Sequence, residues 1–239
     1  KDVQINPGVY AAPGEAPHKS YRPQIEPDPR RVAEAVALLA KAKRPLFYTG
    51  GGVINSGTRA AELLTQFVRQ TGFPCTSTLM GLGGFPASDR LFLGMLGMHG
   101  TYEANLAMHG CDVMVAVGAR FDDRVTGKLA AFSPGSKKIH IDIDPSSINK
   151  NVRVDVPVVG DVARVLEAMM REWRRLQVKS DAKALAGWWK EIDAWRGRDC
   201  LRYEKTDKII KPQHAIQRLY EMTKDRDAYI TTEVGQHQM

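Results

Sequence analysis

The chain has 239 residues, of which 43% are hydrophobic and 26% charged, and its formal net charge is +7. This is globular material with enough apolar residues for one or two cored domains. No apolar run approaches the length that crosses a bilayer and no secretory signal opens the chain; Lys1-Asp2-Val3-Gln4, without a methionine, reads as a cut inside a longer protein.

Charge and cysteines narrow the classes further. Much of the Lys/Arg surplus lies between Arg164 and Lys211, interleaved with acids on a helical pattern. That is the pattern of a solvated helix face, and no recognition motif accompanies it, so nucleic acid is not an expected partner. Cys75, Cys111 and Cys200 are widely spaced, without a CxxC or Cys/His ligand pattern, which fits reduced cytoplasmic thiols. Cys75 and Cys111 lie beside apolar strands and read as small core residues.

Residues 1–27 are proline-rich and poor in apolar residues, so they read as a linker. Asp28-Pro29 opens a helix, with an Asp cap and proline at the first helical position, and Val32, Val36 and Leu39 form its apolar stripe. Pro45–Tyr48 is a short strand, Gly50-Gly51-Gly52 a turn, and Thr58–Thr71 a helix with Leu63, Leu64, Phe67 and Val68 inward. Cys75–Thr78 is a second strand. A glycine-rich stretch follows, then a helix near 101–109. Val113–Val117 is apolar on both faces, as a parallel strand requires. Strands at 138–143 and 156–159 and a helix capped by Asp161 complete the alternation. The expected architecture is α/β, a doubly wound parallel sheet, with residues 28–178 as its domain. Residues 179–211 read as a helical linker bearing Trp188, Trp189 and Trp195. From Pro212 a helix with Ile216, Leu219 and Tyr220 inward and a strand at 228–231 begin a further domain, residues 212–239.

Ligands of such sheets sit at the carboxyl ends of the strands, and the chemistry-bearing segments fall there. Gly50-Gly51-Gly52 lets backbone approach a phosphate, and equally makes a tight turn. Asp142 and Asp144 suit a ribose hydroxyl, or a turn and helix cap; Gly160-Asp161 has the same two readings. Arg120-Phe121-Asp122-Asp123-Arg124 holds two arginines and two carboxylates, which form surface ion pairs or a fork for a carboxylate or phosphate. Gly94–Gly100, with Met95, Met98 and His99, suits a flat aromatic ligand; one histidine does not suggest a metal site.

Taken in order, Thr78–Gly83, Gly97-Met98-His99-Gly100-Thr101-Tyr102-Glu103-Ala104-Asn105, Gly118–Gly127, Asp142–Pro145 and Gly235–Met239 resemble the acetohydroxyacid (acetolactate) synthase family across nearly the whole chain. The resemblance implies a deoxyhypusine synthase-like NAD/FAD-binding fold, the central domain of thiamine-diphosphate enzymes, with residues 212–239 starting the pyrophosphate-binding domain. It implies FAD contacts at Gly50, Gly51, Gly52, Thr78, Leu79, Leu96, Gly97, Met98, His99, Gly118, Arg120, Asp122, Arg124, Val125, Asp142, Ile143, Gly160 and Asp161, with a flavin that undergoes no net redox change. Gly235, Gln236 and His237 resemble the loop around the thiamine diphosphate phosphates, and Arg124 the arginine receiving the second 2-ketoacid. The carboxylate that activates the thiamine ring and the Mg2+ motif of the family match nothing here. The implied partners are 2-ketoacids, further copies of the subunit in a homodimer or homotetramer, and a small regulatory subunit. Glyoxylate carboligase, pyruvate oxidase or a non-catalytic nucleotide-binding module are the alternatives.

Overall fold

A computed structural model of the protein describes residues 5–10, 23–231 and 235. Six parallel strands form one sheet in the order β3-β2-β1-β4-β5-β6. They are β1 (Pro45–Thr49), β2 (Cys75–Ser77), β3 (Phe92–Met95), β4 (Val113–Val117), β5 (Lys137–Asp142) and β6 (Val156–Val159). The order reverses between β1 and β4, and both are buried along their whole length. This is the doubly wound α/β architecture expected, with a switch point between β1 and β4.

Each face of the sheet has its own core. On one side, α1 (Pro29–Leu39), α3 (Thr58–Thr71) and α6 (Val162–Arg175) bury Val36, Leu64, Phe67, Val165 and Met169 against Phe47, Val115 and Ile139. Asp28 accepts from the Arg30 N–H to open α1, and Asp161 accepts from the Arg164 N–H to open α6. On the other side, α4 (Tyr102–Gly110) and α7 (Ala182–Arg196) cover Leu46, Tyr48, Met114 and Ala116. Trp188, Trp189 and Ile192 of α7 are buried there, so this helix, expected as part of a linker, is a packed layer of the sheet.

Several expectations need correction. The glycine-rich stretch contains β3, an edge strand. Its pattern is broken by Gly94, at φ 89 beside a register irregularity, where a Cβ would lie 2.7 Å from the Thr101 methyl. Residues 228–231 are not in a strand; no described strand pairs with them, and an unpaired strand leaves its backbone groups without partners. In α8 (Pro212–Thr223), Ile216, Leu219 and Tyr220 are exposed, because no described element packs on that face. Cys75 and Cys111 are buried, as expected, and Cys200 is exposed. Gln236 and His237, and residues 1–4 and 11–22 of the expected linker, lie outside the described residues. No helix among the described residues is long and apolar enough to cross a membrane.

Candidate functional site

A cleft of about 810 Å3 opens over the carboxyl ends of β1, β2, β4, β5 and β6. Its floor is backbone. The Gly50 N–H donates to the Val117 carbonyl and the Gly52 N–H to the Gly118 carbonyl, both at 2.9 Å. A Cβ on Gly52 would stand 2.6 Å from the Gly118 Cα, and one on Gly50 would collide with the Gly118 carbonyl oxygen. The glycines at 50 and 52 therefore serve the contact between two loops, and the Gly52 amide is engaged inside the protein. The helix they open, α2 (Gly51–Asn55), is only one turn long.

Carboxylates line the far side. Asp142 Oδ1 accepts from the Asp144 N–H at 2.9 Å, and Asp144 caps a 3-10 turn at Pro145–Ser147. Asp161 caps α6 and also accepts from Ser56 Oγ at 2.6 Å, while Ser56 Oγ accepts from the Ala163 N–H at 3.1 Å. The capping readings of Asp144 and Asp161 hold, yet Asp142 and Asp161 both face the cleft as well.

The arginine loop forms the third wall. Arg120 pairs with Asp122 at 2.6 Å and Arg124 with Asp123 at 3.3 Å, with guanidinium side chains 78% and 72% exposed. Pairs this exposed contribute little, so either arginine can exchange its carboxylate for an outside anion at small cost. Asp122 opens α5 (Asp123–Thr126), and its carboxyl is held below the usual carboxylate range by the Asp123 side chain, the Arg124 N–H and Arg120.

Beneath this loop lie two buried polar side chains, both in contact with the Phe121 ring. His140 Nε2 lies 2.9 Å from the Ala119 carbonyl and therefore carries the proton, which leaves Nδ1 buried without a partner among the described residues. Tyr48 Oη is likewise buried and without a hydrogen-bond partner among the described residues. Burial pushes His140 below the usual histidine range, and Asp142, 3.7 Å away, offsets only part of it. The ring is thus neutral when folded, and the contact with Asp142 is not an ion pair at neutral pH. An unfolded histidine titrates near 6.5, so stability from the neutral ring is complete above that pH and falls as the unfolded state takes up a proton below it. The unfolding free energy from urea titrations should fall between pH 7 and pH 5.5, with a slope of up to about 1.4 kcal/mol per pH unit from this group. His140→Gln should flatten the slope; an unchanged slope would assign the acid sensitivity elsewhere.

Residues 32–169 match the model of the thiamine pyrophosphate enzyme, central domain. The chain belongs to the thiamine pyrophosphate enzyme family. Among curated proteins it is similar to acetolactate synthase isozyme 3 large subunit of Escherichia coli strain K12, 44% identical over 242 aligned positions covering 100% of this chain and 42% of that one. It is similar also to an acetolactate synthase large subunit of Haemophilus influenzae, 43% identical over 98% of this chain and 41% of that one. A third, from Mycobacterium tuberculosis, is 41% identical over 100% of this chain and 38% of that one. The chain thus spans about two fifths of the length of these relatives.

In this thiamine pyrophosphate enzyme domain, most of the positions implied by resemblance meet in one cleft: Gly50, Gly51, Gly52, Thr78, Leu79, Gly118, Arg120, Asp122, Arg124, Val125, Asp142, Ile143 and Asp161. Leu96, Gly97, Met98 and His99 lie behind the wall at 124–125. The Met98 N–H donates to the Arg124 carbonyl at 2.8 Å, Leu96 is buried, and Met98 and His99 are exposed. Gly160 packs against Pro27 and Val165, one residue behind the cleft. Gly235 is half-buried and is not among the residues that line this cleft. Tyr48, Asn55, Ser56, Met80 and Ser147 line the cleft and were not foreseen. Only Ser56 carried a local signal, a hydroxyl just past the short helix at the end of β1. Among the described residues no group of three or more His, Cys, Asp or Glu is placed to hold a metal ion.

Proposed function

We propose that this chain is the flavin-holding central part, with the start of the pyrophosphate-binding domain, of an acetolactate synthase catalytic subunit. In that reading the parent enzyme joins pyruvate to pyruvate or 2-ketobutyrate, on the path to branched-chain amino acids. It is cytoplasmic, a homodimer or homotetramer with a small regulatory subunit, and uses thiamine diphosphate, Mg2+ and FAD. The observation that carries the flavin assignment is the cleft itself, whose volume lies within the range of small-molecule sites and which gathers Asp142, Asp161 and the arginine loop at the carboxyl ends of the strands. Asp142 and Asp161 are available to ribose hydroxyls, and Arg120 to a phosphate.

Arg124 offers a planar, two-point grip for the carboxylate of the second 2-ketoacid. Thiamine diphosphate would supply the electron sink for decarboxylation, and the segment Gly235-Gln236-His237 is the part of this chain that would hold its phosphates. The test uses the 239-residue chain and FAD alone. Fluorescence of FAD should be quenched on titration with protein, and Asp142→Ala should weaken binding by about 1–3 kcal/mol through a lost hydrogen bond. Asp142→Asn retains an acceptor for the Asp144 N–H and should lose less. Superimposable titration curves for wild type and Asp142→Ala would refute the ribose assignment.

A further inference from the structure

Asn151 lies in the connection between β5 and β6, 30 residues from a loop whose backbone it holds. Its Nδ2 donates to two consecutive carbonyl oxygens, those of Arg120 and Phe121, each at 3.1 Å. Both neighbours are acceptors, so the amide nitrogen is the only atom that fits there. The connection presenting Asn151 is itself tied down. Asn149 sits in the left-handed region at φ 59, and its Oδ1 accepts from the Val154 N–H at 2.8 Å. Asp144 closes the preceding turn through the Ser146 N–H at 2.9 Å.

Phe121 is the other half of the arrangement. It is an aromatic residue at φ 56, a conformation that persists only where the surroundings impose it. Its ring is buried, with centroids 5.6 Å from Tyr48, 5.8 Å from Phe132 and 5.0 Å from His140. The ring thus anchors the loop from below while Asn151 holds its backbone from the side. Arg120, Asp122 and Arg124, which flank the anchor, all line the cleft.

We infer that Asn151 and Phe121 form a brace that holds the arginine loop over the cleft, with Asn151 as its positioning residue. What the loop meets there rests on the flavin reading above; the brace itself does not. Asn151 is exposed and its two bonds go only to this loop, so its removal loosens the loop and leaves the sheet intact. Asn151→Asp keeps the shape but turns a carboxylate toward two carbonyl oxygens, and Asn151→Ala removes the group.

The experiment measures amide hydrogen exchange on the full chain without ligand, then FAD affinity and the urea midpoint of the same proteins. Val125, Thr126 and Gly127, whose N–H groups bond to Asp122 and Asp123, should exchange about tenfold faster in both variants, with the β4 amides unchanged. FAD should bind about three- to tenfold more weakly, the scale of one or two lost hydrogen bonds, at an unchanged urea midpoint. Unchanged exchange in both variants overturns the brace. Faster exchange with wild-type FAD affinity overturns the positioning role, as does an affinity loss matched by a fall in midpoint. Wild-type chain that takes up no FAD overturns the flavin reading, and the exchange result still decides the brace.

Discussion

Trp188→Ala should lower the unfolding free energy by about 3–5 kcal/mol, the usual cost of truncating a buried tryptophan. Trp188 is 1% exposed and sits at the centre of the second core with Leu46, Met114 and Ile192. Its ring meets Trp195 edge-on at 5.6 Å, the Arg44 guanidinium lies 5.4 Å from its centroid, and Nε1 donates to the Pro45 carbonyl at 3.1 Å. Alanine would open a cavity between α7 and the sheet and also leave the Pro45 carbonyl, at the start of a central strand, without this donor. For a domain of ordinary stability, about 5–15 kcal/mol, that is a large share. Trp188→Phe keeps most of the volume and should cost less than half as much. Urea unfolding followed by circular dichroism measures both. If Trp188→Ala stays within about 1 kcal/mol of wild type, α7 is a spacer whose burial contributes little, as its sequence first suggested.

The sheet was legible because its signals are local. Apolar runs of strand length and caps such as Asp28-Pro29 and Asp161 are read without knowing the partner, and the helix at Thr58–Thr71 was placed to the residue. Edge strand β3 was hidden by Gly94, whose role is to admit Thr101 from seven residues ahead in the strand's own return loop. The three tryptophans of 179–211 announce burial but not against what, so a packed layer read as a linker. On α8 the apolar stripe was seen correctly and its burial was not, since a stripe specifies a face and never its cover. The site divides the same way. Gly50, Gly52, Asp142 and Asp161 were found because strand ends of a doubly wound sheet are where ligands sit. Ser56 meets Asp161 across 105 residues and Asn151 meets Phe121 across 30, and no pattern in a single sequence encodes such a meeting.

On the proposed flavin reading, Gly52→Ala should weaken FAD binding on the order of a hundredfold, while costing about 1–3 kcal/mol of stability. The position has no special φ requirement: Gly52 is helical and its φ lies outside the left-handed region. The constraint is space. An alanine Cβ there would stand 2.6 Å from the Gly118 Cα, 3.1 Å from its oxygen and 3.3 Å from its carbonyl carbon, all backbone atoms that no rotamer change can move. The reciprocal contact, a Cβ on Gly118 at 2.6 Å from the Gly52 Cα, means that neither loop can yield into the other. Relief requires the ends of β1 and β4 to part, stretching the 2.9 Å bond from the Gly52 N–H to the Gly118 carbonyl and shifting Ala119 and Arg120 outward. That movement splits the cleft floor along the switch point, so a ligand spanning it loses contacts on both sides at once. Gly135→Ala is the matched control, since nothing lies within 4 Å of its added Cβ and its φ is not positive. It should leave both FAD affinity and the urea midpoint at wild-type values. If Gly52→Ala instead binds FAD within about threefold of wild type, an effect below 1 kcal/mol, the flavin does not lie across the β1–β4 junction and the cleft serves another ligand.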